Sequence, residues 1–284
     1  MDYFLNGVLS ESNTPIEVKM LQRLTTFQEL GRAAKVVLCG YSVNSYTFIQ
    51  QHHLEKNVVS CYDWLQEVAE FKKPALRRDD LPQLDNYQRE NAKGGYAYLA
   101  ANRMVARSYV NKRGQITHVN YYDESEQRLE TDQYDLRGFL SRKQFFNVQQ
   151  ELVGEQYLNP VGQVCLDVAY AQKQPVYFNL IRKQRVFTEQ QAFWQYCLAH
   201  ILVDPEVVIS ERREYDQLLK KIPGKLRIVR LYNANFDGDE SIAQIFLIRK
   251  QAQFVNTHTV LLDEYTVSAA ELKQTWQQIL TTNL

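Results

Sequence analysis

Hydrophobic periodicity changes twice along this chain, and that constrains the fold more than any single motif does. From Gly95 to about Val186 apolar residues recur at every second position, as in Arg103-Met104-Val105-Ala106-Arg107-Ser108-Tyr109-Val110 and Val176-Tyr177-Phe178-Asn179-Leu180-Ile181. A period of two belongs to strands with one face buried. One near-repeat supports this: Tyr109-Val110-Asn111-Lys112-Arg113-Gly114-Gln115-Ile116 matches Tyr157-Leu158-Asn159-Pro160-Val161-Gly162-Gln163-Val164. Asn opening the turn and Gly at its positive-φ position describe a type I turn with a bulge. The two segments are expected to be hairpins of one antiparallel meander.

On either side the pattern is alternating strand and helix. Tyr3–Leu5 begins a strand. Thr14 suits a helix N-cap, Pro15 the first helical position and Glu17 the reciprocal capping acid. Ile16, Met20, Leu24, Phe27 and Leu30 follow at helical spacing, and Gly31 ends the run. Lys35–Cys39 reads as a buried parallel strand, followed by a helix near 43–53, a strand at 57–60 and a helix near 62–71. The polar stretch 73–91 reads as a linker. Past Val186, Thr188-Glu189-Gln190-Gln191 opens a helix through Ile201. Strands are expected at 206–210, 226–232 and 258–262, and helices at 212–222, 240–252 and 268–280. The expected fold class is α/β, a Rossmann-like domain over 1–90 and 187–284 interrupted by an inserted antiparallel β-meander domain over 91–186.

Composition excludes several functions. The chain has 284 residues with 33 basic and 33 acidic side chains. Zero net charge argues against a nucleic-acid binder or a polybasic membrane-surface protein. No apolar run is long enough for a membrane span. The start, MDYFLNGVLSESN, has neither the basic nor the apolar region of a secretory signal. Cys39, Cys61, Cys165 and Cys197 are widely spaced, which suits reduced core thiols in a cytoplasmic protein.

The catalytic census is negative: there is no phosphate-binding glycine loop, G-x-S-x-G elbow or H-E-x-x-H, so no catalytic residue, metal ligand or cofactor is assigned. His52-His53 reads as a solvated helix end, and His118, His200 and His258 are isolated. Asp237-Gly238-Asp239-Glu240 reads as the acidic first turn of a helix rather than a cation site. Between Gly95 and Val186, 12 Lys/Arg face 9 Asp/Glu, with Arg103, Arg107, Arg137, Arg142 and Lys143 interleaved with Tyr109, Tyr157 and other rings. Two readings stand. One is a groove for a phosphate- or sugar-bearing polymer. The other is an ordinary sheet face whose arginines pair with Asp132 and Asp135.

Tyr134-Asp135-Leu136-Arg137-Gly138-Phe139-Leu140-Ser141-Arg142 resembles a signature of a bacterial glycosyltransferase group. That group holds the poly(glycerol-phosphate) α-glucosyltransferases of wall teichoic acid and protein O-glycosylating enzymes with their accessory subunits. Glu155–Gly162, Ser12–Glu17 with Arg23 and Phe27, and Cys61-Tyr62-Asp63-Trp64 are similar to its further elements. The resemblance implies the N-terminal lobe of a GT-B fold carrying an inserted β-sheet domain. It makes Ser12, Asn13, Thr14 and Glu17 a candidate first-loop crevice, and the sheet residues a candidate acceptor surface. Two departures count against catalysis: Pro15 stands where active members usually carry Gly, and Tyr232-Asn233-Ala234-Asn235 replaces a His-containing segment. No residue set here suits a nucleotide-sugar diphosphate. The implied role is an accessory protein that binds an acceptor, polymer or protein, or a catalytic glycosyltransferase subunit. The acceptor-binding half of an active transferase and a small-molecule binder remain as alternatives. Exposed sheet edges and the resemblance also allow a homo-oligomer.

Overall fold

The computed structural model describes residues 1–68, 71–205, 207–210, 212, 214–220, 222, 227–233, 242–249 and 258–263. The chain divides into two compact units, Met1–Cys61 with Trp194–Leu284, and Tyr62–Phe193.

The first unit begins with β1 (Asp2–Asn6), α1 (Pro15–Glu29), β2 (Ala34–Leu38), α2 (Ser45–Gln51) and β3 (Val58–Ser60). Glu17 closes the start of α1 as its position predicts: its carboxylate accepts the Thr14 N–H at 2.8 Å and the Thr14 hydroxyl. Met20, Leu24 and Phe27 face inward from α1 onto Phe4, Val36 and Ile209, and Ile16 is buried on the same helix.

The second unit opens with α3 (Cys61–Gln66), whose first residue is the last of the first unit. It continues with ten strands: β4 (Gln88–Ala92), β5 (Gly95–Ala100), β6 (Arg103–Val110), β7 (Ile116–Tyr122), β8 (Arg128–Asp135), β9 (Phe139–Phe146), β10 (Leu152–Leu158), β11 (Val164–Ala171), β12 (Gln174–Leu180) and β13 (Arg185–Phe187). They form one antiparallel sheet in simple sequence order. The stretch 73–91 is more than a linker. It holds two 3₁₀ turns, Arg78–Asp80 and Pro82–Leu84, and then β4. Leu81 and Leu84 are buried against Tyr98, Ala106, Ile116, Val119 and Tyr134. A few leucines spaced by turns give no periodicity, so the burial is invisible in the sequence pattern.

The meander follows a period that the near-repeat only hinted at. Asn111, Asp123, Asp135, Asn147 and Asn159 stand twelve residues apart, and each opens a hairpin turn. In all five, the backbone carbonyl of the Asn or Asp accepts the N–H three residues on. That third residue has positive φ: Gly114 71°, Glu126 56°, Gly138 82°, Gln150 61° and Gly162 81°. The side-chain oxygen also accepts the N–H two residues on, and at Asn111, Asp123, Asn147 and Asn159 the N–H four residues on as well. A one-residue register shift beside the turns completes the bulged geometry.

The chain then returns to the first unit with α4 (Gln190–Ile201), β14 (Val207–Ser210), α5 (Glu214–Lys220), β15 (Arg227–Asn233), β16 (Ile242–Arg249) and β17 (His258–Asp263). The sheet order is β17-β16-β15-β14-β1-β2-β3, parallel from β15 to β3 and antiparallel over β15–β17. Strands β1 and β14 are buried at every position, which suits the apolar runs Tyr3–Leu5 and Val207–Ile209 within them. The expected helix at 240–252 is corrected to a strand, β16. Ile242, Ile245, Phe246, Leu247 and Ile248 are β-branched, aromatic or apolar, and strand pairing on both sides favours them. The Asp237–Glu240 group and the expected helix at 268–280 lie outside the described residues. Among the described residues no helix is long and apolar enough to cross a membrane.

Candidate functional site

A crevice of about 280 Å³ lies in the first unit at the carboxyl ends of β1 and β14. Parallel neighbours leave β1 in opposite directions there, toward β2 on one side and β14 on the other. This is the switch point where open α/β sheets bind ligands. Ser12, Asn13, Thr14 and Glu17 all line it, together with Ser10 from the same loop. Asn13 shapes that loop by accepting the Ser10 N–H at 2.8 Å.

Arg212, Glu214 and Tyr215 form the opposite wall. The Arg212 guanidinium donates to Glu17 at 2.7 Å. Burial raises the pKa of Glu17, but Thr14 and Arg212 outweigh it and hold the carboxyl below its ordinary value. Burial alone would lower the Arg212 pKa; Glu17 keeps it raised. The Arg212 Nε atom is buried with no hydrogen-bond partner among the described residues. Arg212 and Tyr215 could not be found from sequence, because 195 positions separate Arg212 from Glu17.

The second unit divides the remaining candidates by face. Tyr109, His118, Gln133, Arg142, Tyr157 and Leu166 form one row across β6–β11. Arg107, Asn120, Thr131, Gln144 and Glu155 form the row beside it on the same face. At the Tyr157 end this face is covered: Tyr62 meets Tyr157 at 4.7 Å, and Phe193 stacks on Phe178 at 4.8 Å. At the other end Tyr109 stacks on His118 at 4.2 Å, half-exposed, and the Arg107 guanidinium lies 4.9 Å from the Tyr109 ring. Desolvation and then Arg128 lower the His118 pKa. Arg103 meets the exposed Glu124 at 3.8 Å.

The others are bound up in the fold. Arg137 is buried and bridges Asp135 at 2.8 Å and Asp63 at 2.7 Å. Arg142 spans Gln133 and Glu155 at 2.7 and 2.9 Å. Lys143 points to the opposite face, to Glu130 and Asp132. Tyr157 is buried and donates to Glu155 at 2.8 Å. Of the two arginine–aspartate pairings open in the sequence, the Arg137–Asp135 pair forms, whereas Asp132 takes Lys143.

The stretch Tyr134–Arg142 therefore works as a joint. Tyr134 fills the core, Asp135 opens a turn, and Arg137 ties that turn to Asp63 at the start of α3. Gly138 has positive φ and lies so close to the Pro74 carbonyl that a Cβ would overlap it. The Ser141 carbonyl accepts from buried Gln66 at 2.8 Å, and the Leu158 carbonyl from the same amide at 2.6 Å.

No family model and no curated protein matches the sequence. Solved structures do. The pneumococcal O-GlcNAc transferase GtfA in complex with UDP and GlcNAc is similar with TM-score 0.67 and 13% identity, over 81% of this chain and 47% of that one. The Gap123 glycosylation-associated complex of Streptococcus agalactiae gives 0.68 and 14%, over 81% and 51%. TarM gives 0.65 and 13%, over 84% and 51%. The chain has a GT-B-like fold. It spans about half the length of these structures, and the GT-B-like half holds both the crevice and the aromatic–basic sheet face in its described residues.

Proposed function

We propose that this chain is a glycosyltransferase-like accessory protein. It recognises an acceptor, a teichoic-acid-type polymer or a protein, or a catalytic glycosyltransferase partner. The second unit acts as a recognition module inserted into the α/β lobe. The observation that carries this reading is the state of the crevice cation. Arg212 is already engaged by the buried Glu17 carboxylate. A departing diphosphate needs an uncommitted cation or helix terminus, and here the terminus of α1 is capped by that same carboxylate. Recognition has better material: the Arg107 guanidinium, which donates one N–H to the Lys93 carbonyl at 2.9 Å, and the half-exposed Tyr109 ring share one face, suited to phosphate and sugar.

The test adds a nucleotide-sugar and acceptor to the purified chain, and measures polymer binding separately. The expected result is no turnover, with binding to poly(glycerol-phosphate) that weakens as salt rises. Arg107→Ala with Tyr109→Ala should weaken that binding about tenfold, or ~1.4 kcal/mol. Turnover by the chain alone would favour the second reading, the acceptor half of an active poly(glycerol-phosphate) or protein glycosyltransferase. A small ligand held in the crevice without polymer binding would favour a small-molecule binder. Self-association through the sheet belongs to the same proposal and is read by light scattering.

A further inference from the structure

Thr117 Oγ1 lies 3.2 Å from the Tyr109 carbonyl oxygen and 3.1 Å from His118 Nδ1. A carbonyl can only accept, so the single hydroxyl proton of Thr117 goes to it. Toward Nδ1 the Thr117 oxygen is then the acceptor, and Nδ1 carries the imidazole proton. In the neutral ring Nε2 is left with a lone pair. Nε2 has no hydrogen-bond partner among the described residues, and it is not sealed from solvent. Desolvation, and then the charge of Arg128, favour that neutral ring.

A hydrogen-bond donor stands close to this acceptor. The His118 ring stacks on Tyr109 at 4.2 Å with the planes 12° apart, and the Arg107 guanidinium lies 4.9 Å from the same tyrosine ring. Arg107 commits Nη2 to the Lys93 carbonyl at 2.9 Å. Its Nε is buried without a partner among the described residues, while Nη1 has no partner among them either and is not sealed from solvent. One tyrosine therefore brings together an open guanidinium nitrogen and an open imidazole lone pair.

We propose that His118 is a specificity-determining residue of this sheet face: its Nε2 accepts a hydrogen bond from a ligand hydroxyl while Arg107 holds the phosphate beside that hydroxyl. The ligand class is a polyol phosphodiester with a free hydroxyl next to the phosphate. Thr117 is the positioning residue that fixes the tautomer. The inference rests on the acceptor-recognition reading above and goes one step past it. A cation alone would take any polyanion of equal charge, whereas a fixed lone pair selects for the hydroxyl, because an analogue without it leaves Nε2 unpaired.

The experiment measures binding of the full chain to poly(glycerol-phosphate) and to poly(trimethylene phosphate), which has the same backbone and charge but no hydroxyl. The second polymer should bind about fivefold more weakly, the size of one hydrogen bond. His118→Phe keeps a flat ring against Tyr109 and removes the acceptor. It should bind both polymers equally, at the affinity the unaltered chain shows for the second. Thr117→Val frees the imidazole to exchange tautomers and should narrow the preference without abolishing binding. Imidazole nitrogen chemical shifts of the unaltered chain read the tautomer without any variant, and Nε2 should be the unprotonated nitrogen. A proton on Nε2 of the neutral ring, or equal binding of the two polymers by the unaltered chain, would overturn the assignment and leave polymer recognition standing. Failure to bind either polymer would remove polymer recognition and this assignment together.

Discussion

Arg137 shows how far a single residue can be stretched between two roles. Its charge and position within a glycosyltransferase-like signature invite a binding role, but its guanidinium is buried between Asp135 and Asp63. Removing one member of such a group strands the others, which typically costs about 3–5 kcal/mol. Arg137→Ala is therefore expected to lower the stability of the second unit by roughly that amount in urea denaturation. Arg137→Lys should not restore it, since one ammonium cannot reach both carboxylates with the paired geometry of a guanidinium. A loss below about 1 kcal/mol would mean the bridge is replaceable by water. Asp132 gives a prediction with a pH signature. Burial pushes its carboxyl up to about 7; the hydrogen-bonded Glu130 carboxyl adds to this, and Lys143 opposes it. Because the folded pKa lies above the ordinary one, this side chain's contribution to stability is full below the ordinary aspartate range. It is lost as pH rises toward 7. Asp132→Asn removes that loss. The gap in urea midpoint between variant and wild type should shift in favour of the variant from about pH 5 to pH 8, and parallel curves would refute the assignment.

The five turns set the architecture of the sheet at the element scale, and they differ in one informative respect. Gly114, Gly138 and Gly162 fill three of the positive-φ positions, whereas Glu126 and Gln150 fill the others at a backbone cost. Glu126→Gly and Gln150→Gly are expected to stabilise by about 0.5–1 kcal/mol each, read as a rise in melting temperature. Gly162→Ala should cost about 1 kcal/mol, since open space surrounds it and only the backbone is strained. Gly138→Ala should cost distinctly more, because its Cβ would overlap Pro74. Equal losses at the two glycines would discount the close approach. These turns also mark what could be read in advance. The near-repeat at 109–116 and 157–164 was legible because both copies keep Asn and Gly. Each intervening copy departs at one position or both, with Asp123 and Asp135 for Asn and Glu126 and Gln150 for Gly, so the twelve-residue period stayed hidden until the hydrogen bonds exposed it. Likewise Thr14 and Glu17 were legible as a cap, while their crevice partner Arg212 depends on how β14 pairs with β1. Strand β16 was misread because an apolar run of that length suits helix and strand alike until its neighbours are known.

At the scale of the whole molecule the two sheets make opposite demands on the chain. Every pairing in the ten-stranded sheet joins consecutive strands, as in β6–β7 or β8–β9. The seven-stranded sheet instead needs Tyr3 to find Val208 and Phe4 to find Ile209, across the whole sequence of the second unit. Closing a long loop costs entropy before any contact offsets it, and non-local pairing slows folding. The β1–β14 ladder is therefore expected to form after the meander. Pulse-labelled hydrogen exchange during refolding from urea measures this directly. Amides of the β6–β9 hairpins should gain protection in an earlier phase than those of β1 and β14. Lengthening the chain between the ladders, for example by glycine–serine residues after Asn147, should leave the β1–β14 phase almost unchanged. Loop entropy grows only with the logarithm of length, and the added residues lie within a loop already long. Protection of β1 and β14 together with or ahead of β6–β9 would show that the first unit closes without waiting for the second, and would overturn this order.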